Sequence, residues 1–324
     1  MIILAMGKHS VNLPKISQKE FLQQLKNKPF EDILTINTVE SILKKNGGLF
    51  HMPHRDSPVI LLISGGLDSI VCWDILMSKF GLKVYPLSLN RGLSRNKAEK
   101  KSVKFFSRYY KKKYPLLFNQ PRYLDAPLSQ LNININQVHQ IMHPQAILDN
   151  FVSKPKVTAN ITMGSASLYP ILAKLYSQYL KYTQNINIHT IFCGFLASDG
   201  GIPEESFTSL RVGTLYLRVT TSDNKWQYSS LCLEKELGYY LFKKDLIWWG
   251  HRHHLPLEKT WTCYQAKRLP CGQCISCFIR KEAFNKANVV DKTTYLPLTF
   301  RNLPIYIFLK TVKVKLLQLL KSLQ

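Results

Sequence analysis

The sequence predicts an α/β fold, an open and mainly parallel twisted sheet flanked by helices, with a four-cysteine subdomain near the C-terminus. Three observations carry that expectation. Residues 59–63 form an unbroken apolar, β-branched run that ends in Ser64-Gly65-Gly66, and apolar residues then recur at 67, 70, 71 and 75, so a buried strand turns directly into a helix. Strand-like and helix-like segments alternate from 58 to 194, the pattern of parallel strands joined by helical crossovers. Four of the chain's seven cysteines then crowd into residues 263–277.

In chain order, residues 15–25 and 30–43 have helical periodicity, and Asn46-Gly47-Gly48 and Met52-Pro53 punctuate the approach to the strand. Residues 1–57 therefore read as an N-terminal extension or lid packed on the core, with His51 and His54 in surface loops. The α/β domain is expected over 58–240. Within it, 83–89 reads as the second strand, with Asn90-Arg91-Gly92 at its carboxyl end, where open parallel sheets place ligands. Residues 97–110 read as a helix, 114–118 as a third strand, 168–182 as a helix, and 186–192 as a further strand ending at Cys193-Gly194. Residues 119–165 have no clear period apart from strand-like alternation at 131–136. A helical zinc-binding subdomain is expected over 241–287 and a basic tail over 288–324. In the tail, Leu309, Val312, Leu316, Leu319, Leu320 and Leu323 share one helical stripe suited to the core, a partner or a membrane surface.

The balance of 44 lysines and arginines against 20 acidic residues gives a formal charge of +24, which favours anionic partners such as nucleotides, nucleic acid, an acidic protein or a membrane surface. A lysine-rich compositional bias with no dedicated partner gives the same number. The 97–110 helix concentrates the surplus in Lys97, Lys100, Lys101, Lys104 and Arg108, continued by Lys111, Lys112 and Lys113 with tyrosines interleaved. That face is either a solvated surface or a track for a phosphate backbone. Residues 1–6 are too short for a signal peptide, no apolar run is long enough to span a bilayer, and the clustered cysteines suit a reducing compartment, so the expected location is the cytoplasm.

A glycine turn between a buried strand and a helix N-terminus is an anion site, because unpaired N–H groups and the positive dipole end face it. Ser64 and Ser69 can donate to phosphate oxygens, while Asp68 can hold a magnesium ion or cap the helix. The Walker A spacing and its lysine are absent. A second glycine-rich loop, 194–204, follows a strand end, and its Asp199 and Glu204 suit an amine, a guanine edge or a metal; either also suits a plain turn.

The cysteines stand as C-x7-C-x2-C-x2-C, which lets Cys263, Cys271, Cys274 and Cys277 surround one ion tetrahedrally, with Gly272 in the tight chelate turn. Four sulfurs leave no position for water, so the expected zinc is structural; an iron–sulfur cluster accepts the same four ligands. Lys267, Arg268, Arg280 and Lys281 would offset the thiolate charge or stand as surface charges. Cys72, Cys193 and Cys232 read as small core residues, and His251, His253 and His254 as ligands or helix C-terminal cations.

The S-G-G-x-D-S loop resembles that of the N-type ATP pyrophosphatases. Together with Thr260-Trp261-Thr262-Cys263-Tyr264 and the Cys271 to Arg280 run closing on Ala283-Phe284, it resembles the 7-cyano-7-deazaguanine synthase (QueC) family over about residues 58–287. The resemblance implies an adenine nucleotide alpha hydrolase-like sheet, ATP, magnesium and zinc. It implies a reaction in which ATP adenylates a 7-deazaguanine-type carboxylate, ammonia displaces AMP to give an amide, and a second adenylation gives the nitrile. Ile63, Ser64, Gly65, Gly66, Leu67, Asp68 and Ser69 would then hold ATP, Asp68 would bind magnesium, and Lys244 would contact substrate or phosphate. Gly194, Asp199 and Glu204 would face the substrate, and Lys244-Asp245 resembles the family's lysine–acidic pair.

Some positions depart from the family. Asn90-Arg91-Gly92 stands where Tyr-Gly-Gln is usual, no Pro-x-Arg-Asn is recognisable around 165–170, and the loop at 194–204 is one residue short with Gly-Gly-Ile-Pro-Glu for Ser-Gly-Tyr-Pro-Asp. These departures resemble a diverged branch associated with antiphage gene clusters such as the Qat system, where the activated deazaguanine would be joined to an amine of a partner protein from the same cluster. Two other readings stand beside it: a tRNA-modifying enzyme with the same loop, and a non-catalytic subunit that binds a partner.

Overall fold

A computed structural model of the 324-residue chain describes residues 12–93, 95–126, 133–134, 160–161, 165–198, 203–265 and 268–296. Its centre is β1 (Pro58–Leu62), whose side chains alternate strictly between two apolar layers. Val59 and Leu61 enter one layer, continued by Ile63, and Ile60 and Leu62 enter the other. Each such side chain contributes about 1.5–3 kcal/mol relative to exposure.

Beside β1 runs β2 (Lys83–Asn90) and beside that β3 (Arg122–Asp125), both parallel to it. The short pair β4 (Ile133–Asn134) and β5 (Asn160–Ile161) stands apart as an antiparallel ribbon. On the other side of β1 lie β6 (Thr190–Cys193) and β7 (Gln227–Ser230), again parallel, and β8 (Leu233–Glu234) and β9 (Tyr239–Tyr240) finish that edge antiparallel. The order is β3-β2-β1-β6-β7-β8-β9. The chain thus winds outward from β1 in one direction and returns to wind the other way. The crevice between the carboxyl ends of β1 and β6 is the switch point where such sheets bind ligands.

Helices cover both faces. The Val59 face carries α3 (Leu67–Ser78), α4 (Asn96–Lys113), α7 (Lys243–Arg252) and α8 (Ile275–Lys286). The Ile60 face carries α1 (Gln18–Lys26), α2 (Ile33–Lys45), α5 (Tyr169–Gln184) and α6 (Phe207–Thr221). Residues ahead of β1 are therefore part of a layer, held by polar contacts as well as apolar ones. Glu31 accepts hydrogen bonds from the Phe207 and Thr208 amides at 2.7 and 2.9 Å, capping α6. Arg218 donates to the carbonyls of Asn46 and Gly48 at 2.6 and 3.0 Å, closing the C-terminal end of α2.

Two expected elements move. Residues 114–118 make a turn, with only Phe118 bridged to Val84, because Leu117 N and Phe118 N are spent on the carbonyl of Tyr114. The third strand is instead β3, whose four residues carry little periodicity. The strand expected at 186–192 is shortened to β6, since Asn185 closes α5 in a left-handed cap and the chain needs several residues to re-enter the sheet. Asp199 and residues 297–324, including the leucine stripe of the tail, lie outside the described residues. No helix among the described residues is long and apolar enough to cross a membrane.

Candidate active site and metal centre

The loop between β1 and α3 is shaped by hydrogen bonds within itself. The Ser64 amide donates to Ser69 Oγ at 3.3 Å, Ser69 Oγ donates to the Gly66 carbonyl at 3.2 Å, and the Gly66 amide donates to Ser64 Oγ at 3.2 Å. Gly65 has φ +79, and a side chain there would come within 2.5 Å of the Glu99 carbonyl oxygen, so only glycine fits. No side chain caps α3, which leaves the first-turn amides of Leu67, Asp68 and Ser69 for an anion. Gly194, at the end of β6, closes the crevice from the other side: a Cβ added there would lie 3.3 Å from the Ser69 amide nitrogen.

Asp68 sits in the first turn with its side chain 23% exposed. One carboxylate oxygen pairs with Lys243 Nζ; the other, Oδ1, is buried without a hydrogen-bond partner. The lysine that reaches the loop is therefore Lys243, while its neighbour Lys244 is exposed, with Nζ 6.0 Å from the Phe242 ring centroid. Asp245 turns back to accept from the Phe242 amide at 2.8 Å and so caps α7; burial raises its carboxyl pKa against that bond. Two adjacent lysines at a helix start leave the choice to helix phase, which the unpatterned entry to α7 does not disclose. Glu204 lies on the Pro203–Glu205 turn that leads into α6.

Beneath the loop helix, Asp74 is fully buried and gathers four groups from beyond its own helix. Tyr114 Oη donates to it at 2.9 Å, Trp249 Nε1 and Lys113 Nζ at 3.1 Å, and His253 Nδ1 lies at 3.1 Å. Burial alone would raise this carboxyl; the His253 hydrogen bond and the Lys113 charge outweigh it and hold the pKa below the ordinary value. Asp74 ties α3 to α4 and α7, so the helix bearing Asp68 and the one bearing Lys243 are fixed to each other. His253 stacks on Trp249 and belongs to this cluster.

The four cysteines Cys263, Cys271, Cys274 and Cys277 are all buried, with their sulfurs within 4.8 Å of one another. Backbone amides point at the sulfurs: Gln265 and Cys271 donate to Cys263 at 3.3 and 3.2 Å, and Cys274 donates to Cys271 at 3.2 Å. Gly272 adopts φ +68 in the turn between two of them. Such a donor set fits a thiophilic ion and lacks a place for water. Of the expected neighbouring cations, Arg280 turns away from the sulfurs. It is buried and donates to Thr260 Oγ1 at 2.7 Å, the Leu257 carbonyl at 2.8 Å and Thr293 Oγ1 at 2.9 Å, because α8 aims it at the segments that precede and follow the helix. Lys281 Nζ reaches the Gly272 carbonyl at 3.0 Å, and Lys267 lies outside the described residues. Cys72, Cys193 and Cys232 are buried among apolar side chains.

Although the two motifs are separated by almost 200 residues, they touch. The Trp261 amide donates to the Gly65 carbonyl at 2.9 Å, and Trp261 Nε1 donates to the Cys263 carbonyl at 2.8 Å. Arg95, from the segment after β2, lies 4.7 Å from the Tyr264 ring centroid. The cysteine element therefore props the loop at 64–69 from outside.

Comparison with known proteins gives a consistent picture. The model of the family "Queuosine biosynthesis protein QueC" matches residues 58–288. The 7-cyano-7-deazaguanine synthase of Acetivibrio thermocellus is 25% identical over 243 residues, 74% of this chain and 98% of that protein. The enzyme of the same name from Picrophilus torridus is 26% identical over 240 residues, 73% of this chain and 90% of its own. A solved structure, the U34-tRNA thiolase NcsA from Methanococcus maripaludis, aligns over 88% of this chain and 82% of its own with a TM-score of 0.36 and 13% identity.

Proposed function

From the premise that this chain belongs to the QueC family, we propose that it is an ATP-dependent, C–N bond-forming ligase that adenylates a 7-deazaguanine-type carboxylate. The observation that carries the reading is the uncapped start of α3 at the sheet's switch point, beside an Asp68 with one buried oxygen unbonded. In this reading the amides of 67–69 and the hydroxyls of Ser64 and Ser69 receive the phosphates. Ile63 and Gly65 shape the turn, and Gly66 lets the phosphate approach. The substrate carboxylate attacks the α-phosphorus and pyrophosphate departs. Ammonia then displaces AMP to form the amide, and a second adenylation and loss of AMP give the nitrile; a protein amine in place of ammonia gives a conjugate instead. Magnesium, held at Asp68, would neutralise the departing pyrophosphate. Lys243, held beside the loop by its bond to Asp68, would donate to phosphate, the role expected of Lys244. Gly194, Asp199 and Glu204 remain the substrate-side candidates.

For the cysteine cluster the reading is structural zinc, supported by four buried sulfurs and the Trp261 contact that passes their order to the loop. Four cysteines gathered as one candidate metal-ligand set also suit a reducing cytoplasm better than a disulfide framework does. The departures at 90–92 and around 194–204 support an acceptor other than the usual one, including a partner protein in an antiphage gene cluster.

The decisive experiment supplies the purified chain with ATP, magnesium, ammonia and 7-carboxy-7-deazaguanine. Release of AMP, pyrophosphate and nitrile is expected; AMP formed only with a candidate partner protein, and a mass shift on it, would identify the conjugating branch. No AMP with any acceptor, although ATP binds, would overturn the enzyme reading. Metal analysis should give one zinc per chain, lost in Cys274→Ser together with loop order; full zinc retention in that variant would sink the four-ligand site.

A further inference from the structure

Helix α4 carries Lys97, Lys100, Lys101, Lys104, Arg108, Lys111 and Lys112, all exposed. At about 100° per residue these seven fall within an arc of about 120°, and at 1.5 Å rise they run about 22 Å along the helix. The eighth cation, Lys113, turns inward to Asp74. The helix's acid, Glu99, is bonded to Arg95 at 2.8 Å. None of the seven takes part in an ion pair among the described residues. Among the described residues the stripe is therefore uncompensated, a like-charge array that costs stability unless an anion lies on it.

The surroundings decide what kind of anion fits. No large apolar side chain is exposed between 96 and 113, so the stripe lacks the apolar centre a protein partner needs. A phosphate backbone needs none, since nucleic-acid interfaces are more polar and far more positive. Aromatic rings border the stripe: Lys100 lies 4.9 Å from the Tyr123 ring centroid, and on the adjoining sheet edge Arg122 lies 5.1 Å from that of Tyr179, which is half exposed. The stripe also leads to the candidate active site. Its Lys97–Lys101 end shares a turn with Glu99 and Ser102, and Ser102 Oγ donates to the Gly65 carbonyl at 2.8 Å.

We propose that the exposed face of α4 binds the phosphate backbone of a nucleic acid and leads it to the rim of the loop at 64–69. This goes beyond the adenylation reading and fails separately from it, because binding is measured without ATP. The test is fluorescence anisotropy of a labelled 20-nucleotide RNA, single-stranded and as a hairpin, against the full chain. With five to seven phosphates neutralised on a single strand, log K should fall against log salt with a slope of about −3.5 to −5. The variant K97E/K101E/K104E/R108E should lose at least thirtyfold in affinity, and polyglutamate of matched charge should compete at least tenfold less well than unlabelled RNA. A control with the same charge change elsewhere on the surface, K19E/K44E/K45E/K181E, should stay within threefold of wild type. Glutamine replacements at the four α4 positions serve if the charge reversal unfolds the protein. The proposal is overturned by no binding at 50 mM salt, by equal loss in the control, by wild-type binding in the α4 variant, or by polyglutamate competing as well as RNA.

Discussion

Two clusters of opposite charges sit on opposite faces of the sheet and differ in one respect: one is closed and the other is open. On the Ile60 face, Arg211 makes two parallel bonds to Glu234 at 3.0 and 2.7 Å and a third to Glu40 at 3.0 Å. Lys235 bonds the other oxygen of Glu40, and Ser229 bonds Glu234. All of these side chains are buried. Burial alone would raise the Glu40 carboxyl, but Lys235 and Arg211 outweigh it and hold the pKa below the ordinary value; the two carboxylates raise that of Arg211 against its own burial. At the loop, Asp68 and Lys243 make one bond, stay partly exposed and leave an oxygen unused. A buried network holds only when every member is satisfied, so the first is architecture. Under the proposed function, Asp68, with one oxygen unused at the sheet's switch point, is the member that would exchange partners.

The comparison breaks first at Arg211. Arg211→Met should cost about 3–5 kcal/mol in urea unfolding, because it takes from buried Glu234 its charge partner and from Glu40 one of two, while ATP affinity measured on the folded fraction stays within threefold. An unfolding loss below 1 kcal/mol would mean the network is not closed. Asp68→Asn should do the reverse. AMP release should fall about 100-fold or more, equivalent to about 2.7 kcal/mol, with the melting temperature moved by no more than about 2 °C. Unchanged turnover would remove Asp68 from the chemistry.

Finer resolution comes from the adjacent lysines. Lys243→Gln should lower AMP release about tenfold and Lys244→Gln less than twofold; the opposite ranking would restore Lys244 as the contact. The smallest effect is a slope. Because Asp74 is depressed in the folded state, its contribution to stability is complete above its unfolded value near pH 4 and is lost as pH falls through the lower folded value. Wild type should therefore lose melting temperature below about pH 4 more steeply than Asp74→Asn does, although the variant starts less stable. Parallel curves would show that Asp74 does not titrate with folding.

What was legible in the sequence follows from range. The loop 64–69 and the cysteine spacing are local, so short strings of residues carry their chemistry. The sheet's parallel centre was legible because β1 and β2 are apolar runs bounded by breakers. β3, a four-residue strand set by its neighbour's hydrogen bonds, left no pattern. Lys243 reaches Asp68 and Trp249 reaches Asp74 across 175 positions, while Lys113 and Tyr114 reach Asp74 across 39 and 40, and no local signal marks any of them. Glu31, Glu40, Arg211 and Arg218 stand in no motif, and only the stacking of the helices brings them together.

That stacking bears on how the protein is to be handled. The family match begins at residue 58, which suggests a natural place to cut. A chain shortened there would lose Glu40 from beneath Arg211 and Lys235, Glu31 from the start of α6, and the carbonyls that Arg218 caps. The boundary of likeness and the boundary of the foldable unit are not the same line. Fragments trimmed to family length would precipitate or misreport activity for reasons unrelated to catalysis.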